Sequence, residues 1–185
     1  MRRFFLIILP AFLALVLIAV AGGYYWLKTS LPMTDGTKRL AGLAAQVTVS
    51  RTERGLPTIR AATLADGWFA LGFVHAQDRL WQMESMRRFA LGRLSEVLGA
   101  ATLDVDKQQR RLGFGPLAKE QYERLAPQTR AGLDAYAAGV NAYLDARSGA
   151  LPPEFVALGY TPEPWLPYHG LLWGRQMAYQ LSASW

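Results

Sequence analysis

The segment GFVHAQDRLWQMESMRRFALGRLSEVLG, residues 72–99, contains most of the strongest helical pattern in this chain. Its apolar residues, together with one that precedes it, recur in steps of four, three, four and three positions: Phe69, Phe73, Ala76, Leu80 and Met83. Because an α-helix completes a turn in about 3.6 residues, these five side chains share one face. The pattern therefore predicts a long amphipathic helix whose apolar face packs against the rest of the fold.

The predicted helix has recognisable ends and an internal charge pair. Thr63 and Asp66 are three residues apart and form a capping-box pattern at its start. Gly92 predicts a break after its last turn. Glu84 precedes Arg88 by four residues, which is the favourable order for an ion pair along a helix.

Further elements are predicted on both sides of this helix. VTVSRTERGLPTIRA, residues 47–61, alternates apolar and polar residues around Gly55 and predicts a β-hairpin. Residues 127–144 predict a second amphipathic helix. Residues 151–168 are rich in proline and aromatic residues and predict a long loop, after which a final helix begins near His169. The expected fold class is therefore α+β, and mostly helical.

The N-terminal segment predicts a membrane helix. Residues 4–27 contain no charged side chain and, as a helix, are long enough to cross the hydrocarbon core of a bilayer. Arg2 and Arg3 precede them, which favours an N-terminus in the cytoplasm and a body exported to the other side. The alternative is a cleaved signal peptide, since residues 19–21 are small enough for signal peptidase. We expect the uncleaved anchor, because the apolar run continues past that point.

The chain divides into three parts. Residues 1–27 are the membrane anchor or signal segment, and residues 28–46 contain turn-forming residues that predict a linker. Residues 47–185 are sufficient for one domain. The expected location is periplasmic or otherwise extracytoplasmic, with the chain anchored to the inner membrane by its N-terminal helix.

Composition excludes several kinds of site. No cysteine occurs among the 185 residues, so this chain has no disulfide, thiolate metal site or cysteine nucleophile. The net charge is +6, but basic residues are scattered among acidic ones. We therefore expect a solvated, mildly basic surface rather than a nucleic-acid interface.

Candidate catalytic residues are sparse. The sequence contains no serine-hydrolase elbow, zinc-protease motif or phosphate-binding loop, and its two histidines are His75 and His169. His75 and Asp78 are three residues apart, but two ligands without a third make a poor metal site. We expect instead a buried hydrogen-bonded network, whose members are His75, Gln77, Asp78, Arg79 and Gln82. Within it, Asp78 and Arg79 are expected to hold the helix to the sheet. On residues alone, no complete catalytic apparatus is present.

The segment 72–99 resembles the N-terminal part of the penicillin acylase family. The resemblance extends, in the same order, to residues 47–61, to YAAGVNAYLD at residues 136–145, and to LPPEFVALGYTPEPWLPYHGLLWGRQMAYQLS at residues 151–182. One departure is Thr52, a turn position where the family pattern leads us to expect an acidic residue. Several separate motifs in register make the resemblance specific.

This resemblance implies an N-terminal-nucleophile hydrolase of αββα architecture, of which residues 47–185 are the mostly helical N-terminal part. Such proteins are exported precursors that cut themselves into a small α chain and a large β chain. The nucleophile is the serine at the N-terminus of the β chain, whose own α-amino group accepts the hydroxyl proton. The implied catalytic residues therefore lie downstream, none is in this chain, and this fragment alone is expected to be inactive.

The implied activity is hydrolysis of a linear amide bond in N-acyl compounds such as penicillins or acyl-homoserine lactones. The implied partners are the chain's own downstream β chain, a small-molecule N-acyl substrate, and the membrane at residues 4–27. The chemistry requires no cofactor. Some members of the family bind calcium through a glutamate that would fall beyond Trp185, so calcium is compatible with the full-length protein but its ligands are not in this chain.

Three residues of the last helix match positions that line the substrate pocket in the family, namely Met177, Gln180 and Leu181. Packing into the core explains Met177 and Leu181 equally well, because acyl pockets and cores use the same apolar side chains. Gln180 replaces the arginine of some members, so contacts to an anionic substrate do not carry over. Ser182 and Ser184 are rejected as nucleophiles, since neither is N-terminal or beside a base.

The sequence stops at Trp185 within this helical pattern, which predicts a chain that continues. The alternative is a non-catalytic, membrane-anchored scaffold or remnant of the same family. Such a scaffold needs a stable fold without a β chain, and the predicted strands are too few to form a sandwich that covers their apolar faces.

Overall fold

The computed structural model describes the backbone of residues 2–182 and the side chains of residues 9–182. Ser184 and Trp185 lie outside the described residues. Within this part of the chain, eight α-helices and one two-stranded sheet follow one another. In order they are α1 Arg2–Ser30, β1 Thr48–Arg51, β2 Pro57–Arg60, α2 Leu64–Leu91, α3 Ser95–Leu98, α4 Leu103–Leu112, α5 Phe114–Glu123, α6 Pro127–Ala146, α7 Pro153–Ala157 and α8 His169–Ser182. The fold is mostly helical.

Helix α1 has the length and composition of a helix that can cross a membrane, over its segment Leu9–Ser30. A signal sequence near an N-terminus has the same properties. At its last turn, the hydroxyl of Ser30 donates to the carbonyl oxygen of Leu27 at 2.7 Å. Arg147, just past α6, donates to the carbonyl oxygen of Ser30 at 3.2 Å. The end of α1 therefore lies against the C-terminal end of α6.

The predicted β-hairpin is confirmed. Strands β1 and β2 pair antiparallel, with Val49 opposite Ile59. Thr52 lies in the turn, where its backbone N–H donates to the carbonyl oxygen of Leu56 at 3.1 Å. Gly55 has φ 77°, a left-handed conformation that glycine adopts without a side-chain clash.

Helix α2 begins and ends where the sequence predicts. Thr63 accepts the backbone N–H of Asp66 at 3.0 Å, and Gly92 closes the helix with φ 64°. In a capping box, the side chain of the third helical residue accepts the backbone N–H of the capping residue. Here the Asp66 carboxylate accepts the backbone N–H of Ala44 at 2.8 Å in place of that bond. The Ala44 N–H and then the Thr63 hydroxyl lower the pKa of Asp66. This carboxylate fastens the segment before the hairpin to the start of α2.

The apolar face of α2 packs on α6, as its periodicity predicts. Phe73 on α2 meets Tyr143 on α6 edge to face, with ring centroids 5.4 Å apart. The buried cluster around this contact consists of Ala76, Leu80, Ala137, Val140, Tyr143, Phe155 and Trp165. One feature of α2 is not predicted: Arg79 leaves the helical region, with φ −142° and ψ 30°, and the helix kinks there.

The segment 151–168 is not the continuous loop that its composition predicts. Helix α7 interrupts it, and Phe155 on this helix is fully buried. Its ring meets Trp81 of α2 edge to face at 5.2 Å. Proline at the first helical position costs no hydrogen bond, so a proline-rich stretch can start a helix as well as interrupt one.

The ion pair predicted along α2 is present, and it is buried. Arg88 donates to Glu84 at 2.8 Å, and the two residues are only 4% and 2% exposed. Arg87 pairs with the second oxygen of the same carboxylate. Glu96 and Glu163 then join the cluster through Arg88. Two adjacent arginines thus meet three carboxylates beneath the loop that follows α7.

The network predicted around His75 is present only in part, since Arg79 and Gln82 bond to each other, and it is largely exposed rather than buried. The guanidinium of Arg51 on β1 donates to both carboxylate oxygens of Asp78, at 2.8 and 3.0 Å. Arg79 donates to Gln82 at 2.8 Å. His75 Nδ1 lies 3.0 Å from the hydroxyl oxygen of Tyr136 on α6. Asp78 therefore does hold α2 to the sheet, as expected, but Arg79 takes no part. The reason is that Arg51 of β1 and Tyr136 of α6, which are distant in the sequence, supply the partners of Asp78 and His75.

Candidate functional site

A cavity of about 910 Å³ lies between α2, α6 and the first half of α8. Its walls are mainly aromatic and aliphatic, and include Trp68, Leu71, Met83, Met86, Leu133 and Trp173. Three of these side chains remain 40–42% exposed, namely Trp68, Met86 and Trp173. The size and apolar lining are those of a binding site.

Helix α2 presents the cavity wall on a face beside its core face. The wall residues on this helix follow steps of three, four, seven and four positions: Trp68, Leu71, His75, Gln82 and Met86. The same 3.6-residue period that marks the core face therefore marks this second face. The spacing of Trp68, Leu71 and Met86 is a signal in the sequence that could have located the wall.

The floor of the cavity contains buried polar groups. His169 is 5% exposed, and its Nδ1 accepts the backbone N–H of Leu166 at 3.0 Å. Burial, and then the nearby Arg87 charge, lower the pKa of His169 to about 3. The ring is therefore neutral at pH 7, and its proton is on Nε2, which acts as a donor.

Two other buried side chains with donor groups, Arg87 and Trp165, line the cavity. Arg87 is 2% exposed and donates from Nη1 to the carbonyl oxygen of Pro164 at 2.9 Å. Its Nε has no hydrogen-bond partner within residues 9–182, and neither has the indole nitrogen of Trp165. Both side chains line the cavity, and Trp165 is only 9% exposed. These two nitrogen atoms are thus buried beneath the cavity wall, without a partner in the described part of the chain.

The hydroxyl groups of the cavity are arranged for binding rather than for nucleophilic attack. Among the described residues, Thr129 and Tyr136 are the lining residues that carry one. His75 Nδ1 lies 3.0 Å from the Tyr136 hydroxyl oxygen. Burial raises the pKa of Tyr136 to about 12, and burial lowers the pKa of His75. A protonated phenol beside a weakened base is a poor nucleophile.

The three residues predicted to line a substrate pocket lie outside this cavity. Met177, Gln180 and Leu181 are on the second half of α8, and all three are exposed. Met177 is 43% and Leu181 is 67% exposed, so neither is packed into the core of the described chain. Their role as pocket residues stays a prediction. Ser182 donates its hydroxyl back to the carbonyl oxygen of Tyr179 at 2.8 Å, an ordinary helical contact.

Comparison with protein families gives one match that covers most of the chain. The sequence model described as "Penicillin amidase" matches residues 46–185. This range begins just before β1 and takes in the hairpin, α2 to α8 and the cavity between them.

Several proteins are similar to this chain. A penicillin acylase 2 proenzyme of Pseudomonas sp. strain SE83 is 44% identical over 159 residues, which cover 86% of this chain and 20% of that protein. An acyl-homoserine lactone acylase QuiP of Pseudomonas aeruginosa is 41% identical over 155 residues, covering 82% of this chain and 18% of that protein. The chain thus spans about a fifth of the length of the curated relatives it matches.

A solved structure shares the fold. The thermostable penicillin G acylase from Alcaligenes faecalis superposes with a TM-score of 0.69 at 31% sequence identity. The match covers 75% of this chain and 75% of that chain.

Proposed function

Because this chain belongs to the penicillin amidase family, we propose that it is the α-chain part of an exported acylase that hydrolyses linear amide bonds. Its relatives are penicillin acylases and acyl-homoserine lactone acylases, so the family is one of acylases. The proposed substrates are small N-acyl compounds of these two kinds. The proposed whole protein has the αββα architecture of an N-terminal-nucleophile hydrolase.

The lengths of two relatives are the main support for this proposal. The matched region covers 20% of a penicillin acylase proenzyme but 75% of a chain in a solved penicillin G acylase. A long precursor in one relative and a much shorter chain in another are what cleavage of one polypeptide into two chains produces. We therefore take a downstream β chain of the same precursor as the partner of this chain.

The proposed chemistry belongs to the β chain. A serine at its N-terminus attacks the amide carbonyl carbon, and its own α-amino group accepts the hydroxyl proton. The same proton passes to the leaving amine, and water then hydrolyses the acyl-serine ester. The cavity of the present chain has no comparable pair of nucleophile and base among its described residues. This fits a division of labour in which the α chain supplies scaffold and pocket wall.

Within this chain, we assign Met177, Gln180 and Leu181 to the acyl pocket. Met177 and Leu181 are four residues apart on α8 and share one exposed face, and this arrangement supports the assignment. The β chain and the acyl group of the substrate are the proposed cover. Gln180 contributes an uncharged amide at this wall, which suits a neutral acyl group better than an anionic one.

Helix α1 supports export. Its apolar segment Leu9–Ser30 serves either as an anchor in the inner membrane or as a cleaved signal, with the body of the protein in the periplasm. No cofactor is proposed for the chemistry. Among the described residues, no group of three or more histidine or acidic side chains is placed to hold a metal ion.

The experiment that tests this function uses the full-length gene product. The coding sequence is read past the Trp185 codon, the protein is expressed whole, and the N-termini of its mature chains are determined by mass spectrometry. We expect two chains, one of which begins with serine, and hydrolysis of N-acyl substrates that is lost when this serine is replaced by alanine. A stop codon directly after Trp185, or amidase activity in this fragment alone, contradicts the proposal.

A further inference from the structure

The end of α1 is packed into the body of the protein. Residues 9–29 are all exposed, but Ser30 is only 7% exposed. The carbonyl oxygen of Ser30 accepts a hydrogen bond from Arg147 at 3.2 Å. A Cβ atom on Gly149 would lie 2.6 Å from the carbonyl oxygen of Thr29, so the loop after α6 also contacts the end of α1. The last turn of α1 is therefore fixed to the end of α6.

The residues that follow α1 are bound to the body as well. The side-chain amide of Gln77 on α2 donates to the carbonyl oxygen of Met33 at 2.8 Å. The ammonium of Lys38 donates to the carbonyl oxygen of Ala146, the last residue of α6, at 3.1 Å. The chain is thus held to α2 and α6 within a few residues of the helix end, so the body cannot move far from α1.

A body joined to α1 in this way lies close to any bilayer that α1 crosses. The uncharged residues 4–27 form about 36 Å of helix, and the hydrocarbon core of a bilayer is about 30 Å thick. Ser30 therefore lies about 5–10 Å beyond the hydrocarbon, and the headgroup layer on each side is about 5–8 Å thick. The last turn of α1 and the side chains around it meet the lipid headgroups.

The side chains at this place have the chemistry of a lipid contact. Leu31 and Met33 are 67% and 57% exposed, and they line one small cleft together with Lys38 and Arg147. Lys28, in the last turn of α1, is also exposed. Exposed apolar side chains beside lysines suit a membrane interface, because the apolar groups enter the lipid while the ammonium groups stay among the phosphates.

The balance of charge at the same place favours phosphate. Residues 28–39 contain three basic side chains and one acidic side chain, namely Lys28, Lys38, Arg39 and Asp35. Asp145 and Arg147, at the end of α6, offset each other. The ammonium of Lys38 has three donors and its bond to α6 uses one, so it can also hold a phosphate oxygen. An excess of positive charge remains to attract anionic lipid.

We propose that Lys28, Leu31, Met33 and Lys38 form a docking surface for the phospholipid headgroups of the periplasmic leaflet, and that this surface holds the body of the protein against the inner membrane. The inference rests on the proposed function, because it takes α1 as an uncleaved anchor of an exported protein. The two lysines bind lipid phosphates, and the two apolar side chains enter the boundary between headgroups and acyl chains. Arg147 fixes this docking surface to α1 through its bond to Ser30.

Fluorescence quenching in the full-length protein measures the depth of the docking surface. Leu31→Cys is compared with Leu98→Cys on α3, which is 45% exposed and follows the far end of α2, about 20 Å along that helix from Gln77. Each cysteine carries a bimane label, in a background without other cysteines. The protein is reconstituted into vesicles whose headgroups carry a nitroxide quencher. We expect several-fold stronger quenching at residue 31 than at residue 98, and equal quenching at the two positions overturns the proposal.

A charge reversal tests the contact with phosphate. In the Leu31→Cys background and in vesicles that contain phosphatidylglycerol, Lys38→Glu is compared with Arg124→Glu, which changes an exposed arginine at the end of α5. We expect only Lys38→Glu to lower the ratio of docked to undocked protein, by about fivefold or more. Lys38→Arg keeps the positive charge and should keep the quenching. Equal quenching in Lys38→Glu and Arg124→Glu overturns the contact.

The two proposals fail separately. Release of a mature chain that begins at Gly22 into the periplasm, with amide hydrolysis intact, leaves the function standing and removes the docking surface. Strong quenching at residue 31 in a protein that hydrolyses no N-acyl substrate leaves the docking surface standing and removes the function.

Discussion

Gly72 on α2 and Gly139 on α6 bring the two helix backbones into direct contact. A Cβ atom on Gly72 would lie 2.0 Å from the carbonyl oxygen of Tyr136, and one on Gly139 would lie 1.9 Å from that of Phe69. Neither position has room for any side chain. Because the same two helices form the core and two walls of the cavity, this close approach determines the geometry of both.

Replacement of either glycine should separate the helices. We expect Gly72→Ala and Gly139→Ala each to lower the free energy of unfolding by about 3 kcal/mol or more, since backbone must move to admit the methyl group. Gly67→Ala is the matched control on α2, where the nearest atom is 3.9 Å away. It should stabilise the protein by about 0.5–1 kcal/mol through helix propensity. Thermal unfolding of the full-length variants measures both, and equal midpoints for Gly67→Ala and Gly72→Ala contradict the close contact.

The buried Glu84 should contribute far more to the free energy of unfolding than an exposed glutamate that also precedes an arginine by four residues. We expect Glu84→Gln to cost about 3–5 kcal/mol, because it leaves Arg87 and Arg88 buried with one charge fewer between them. Glu120 also pairs with an arginine four residues on, but both side chains are exposed, at 52% and 78%. Glu120→Gln should cost less than about 0.5 kcal/mol. Denaturant unfolding distinguishes the two, and similar losses refute the role of burial.

Asp106 should support the turn after α2. Its carboxylate accepts the backbone N–H groups of Leu94 and Ser95, each at 2.8 Å, and also the Ser95 hydroxyl. We expect Asp106→Ala to lower the free energy of unfolding by about 3 kcal/mol, because buried donors lose their acceptor. Asp104→Ala on the same helix removes a side chain that is 95% exposed and should have almost no effect. Hydrogen exchange of the Leu94 and Ser95 amides should accelerate only in Asp106→Ala.

His169 should make the free energy of unfolding depend on pH, in a pH range above that in which the carboxylates titrate. The pKa of His169 in the folded protein, about 3, lies below the ordinary 6.5. Between these two values, the unfolded chain binds a proton at this residue and the folded chain does not. Stability should therefore fall as pH falls below 6.5, by up to about 1.4 kcal/mol per pH unit. Glu96, whose pKa hydrogen bonds from Arg93 lower to about 2, contributes only below its ordinary 4.5.

The matching variant is His169→Asn, whose side-chain oxygen can still accept the Leu166 N–H. Unfolding midpoints of both proteins are measured between pH 6.5 and about 5, above the titration of the carboxylates. The difference between the two slopes belongs to His169. Parallel slopes would show that the imidazole is protonated in the folded protein.

Met177 should select the acyl group. Replacement by alanine enlarges the proposed pocket, so we expect Met177→Ala to shift kcat/KM toward longer or bulkier acyl chains by about tenfold, as removal of a few methylene-sized groups does. Met86→Ala removes an equally exposed methionine from the other cavity and should leave the acyl preference unchanged. Initial rates on a series of N-acyl substrates measure the shift. The same preference in both variants would remove Met177 from the pocket.

Much of the fold could be predicted from the sequence, because it depends on neighbours along the chain. The start of α2 at Thr63 and its end at Gly92 follow from capping chemistry, and its buried face follows from a 3.6-residue period. The turn at Gly55 follows from the conformational freedom of glycine. The resemblance of several motifs in register indicated the family that the comparisons confirmed.

Other features were missed or assigned incorrectly. The helices between residues 95 and 123 and the short α7 were not predicted, because they are short and bury few apolar side chains, so no clear apolar period marks them. The kink at Arg79 could not be predicted, because no proline or glycine lies next to this residue. The network assigned to residues 75–82 was present only in part, because Asp78 pairs with Arg51 of the hairpin.

By itself, the sequence determined where the long helices α2 and α6 lie, where the hairpin turns and to which family the chain belongs, since each depends on local spacing or on motif order. Only the tertiary structure decided that Glu84 is buried, that Gly72 touches the backbone of α6, and that α2, α6 and α8 enclose an apolar cavity. The physical reason is that these features depend on contacts between residues far apart in the chain, such as Gly72 and Tyr136, which no local pattern relates.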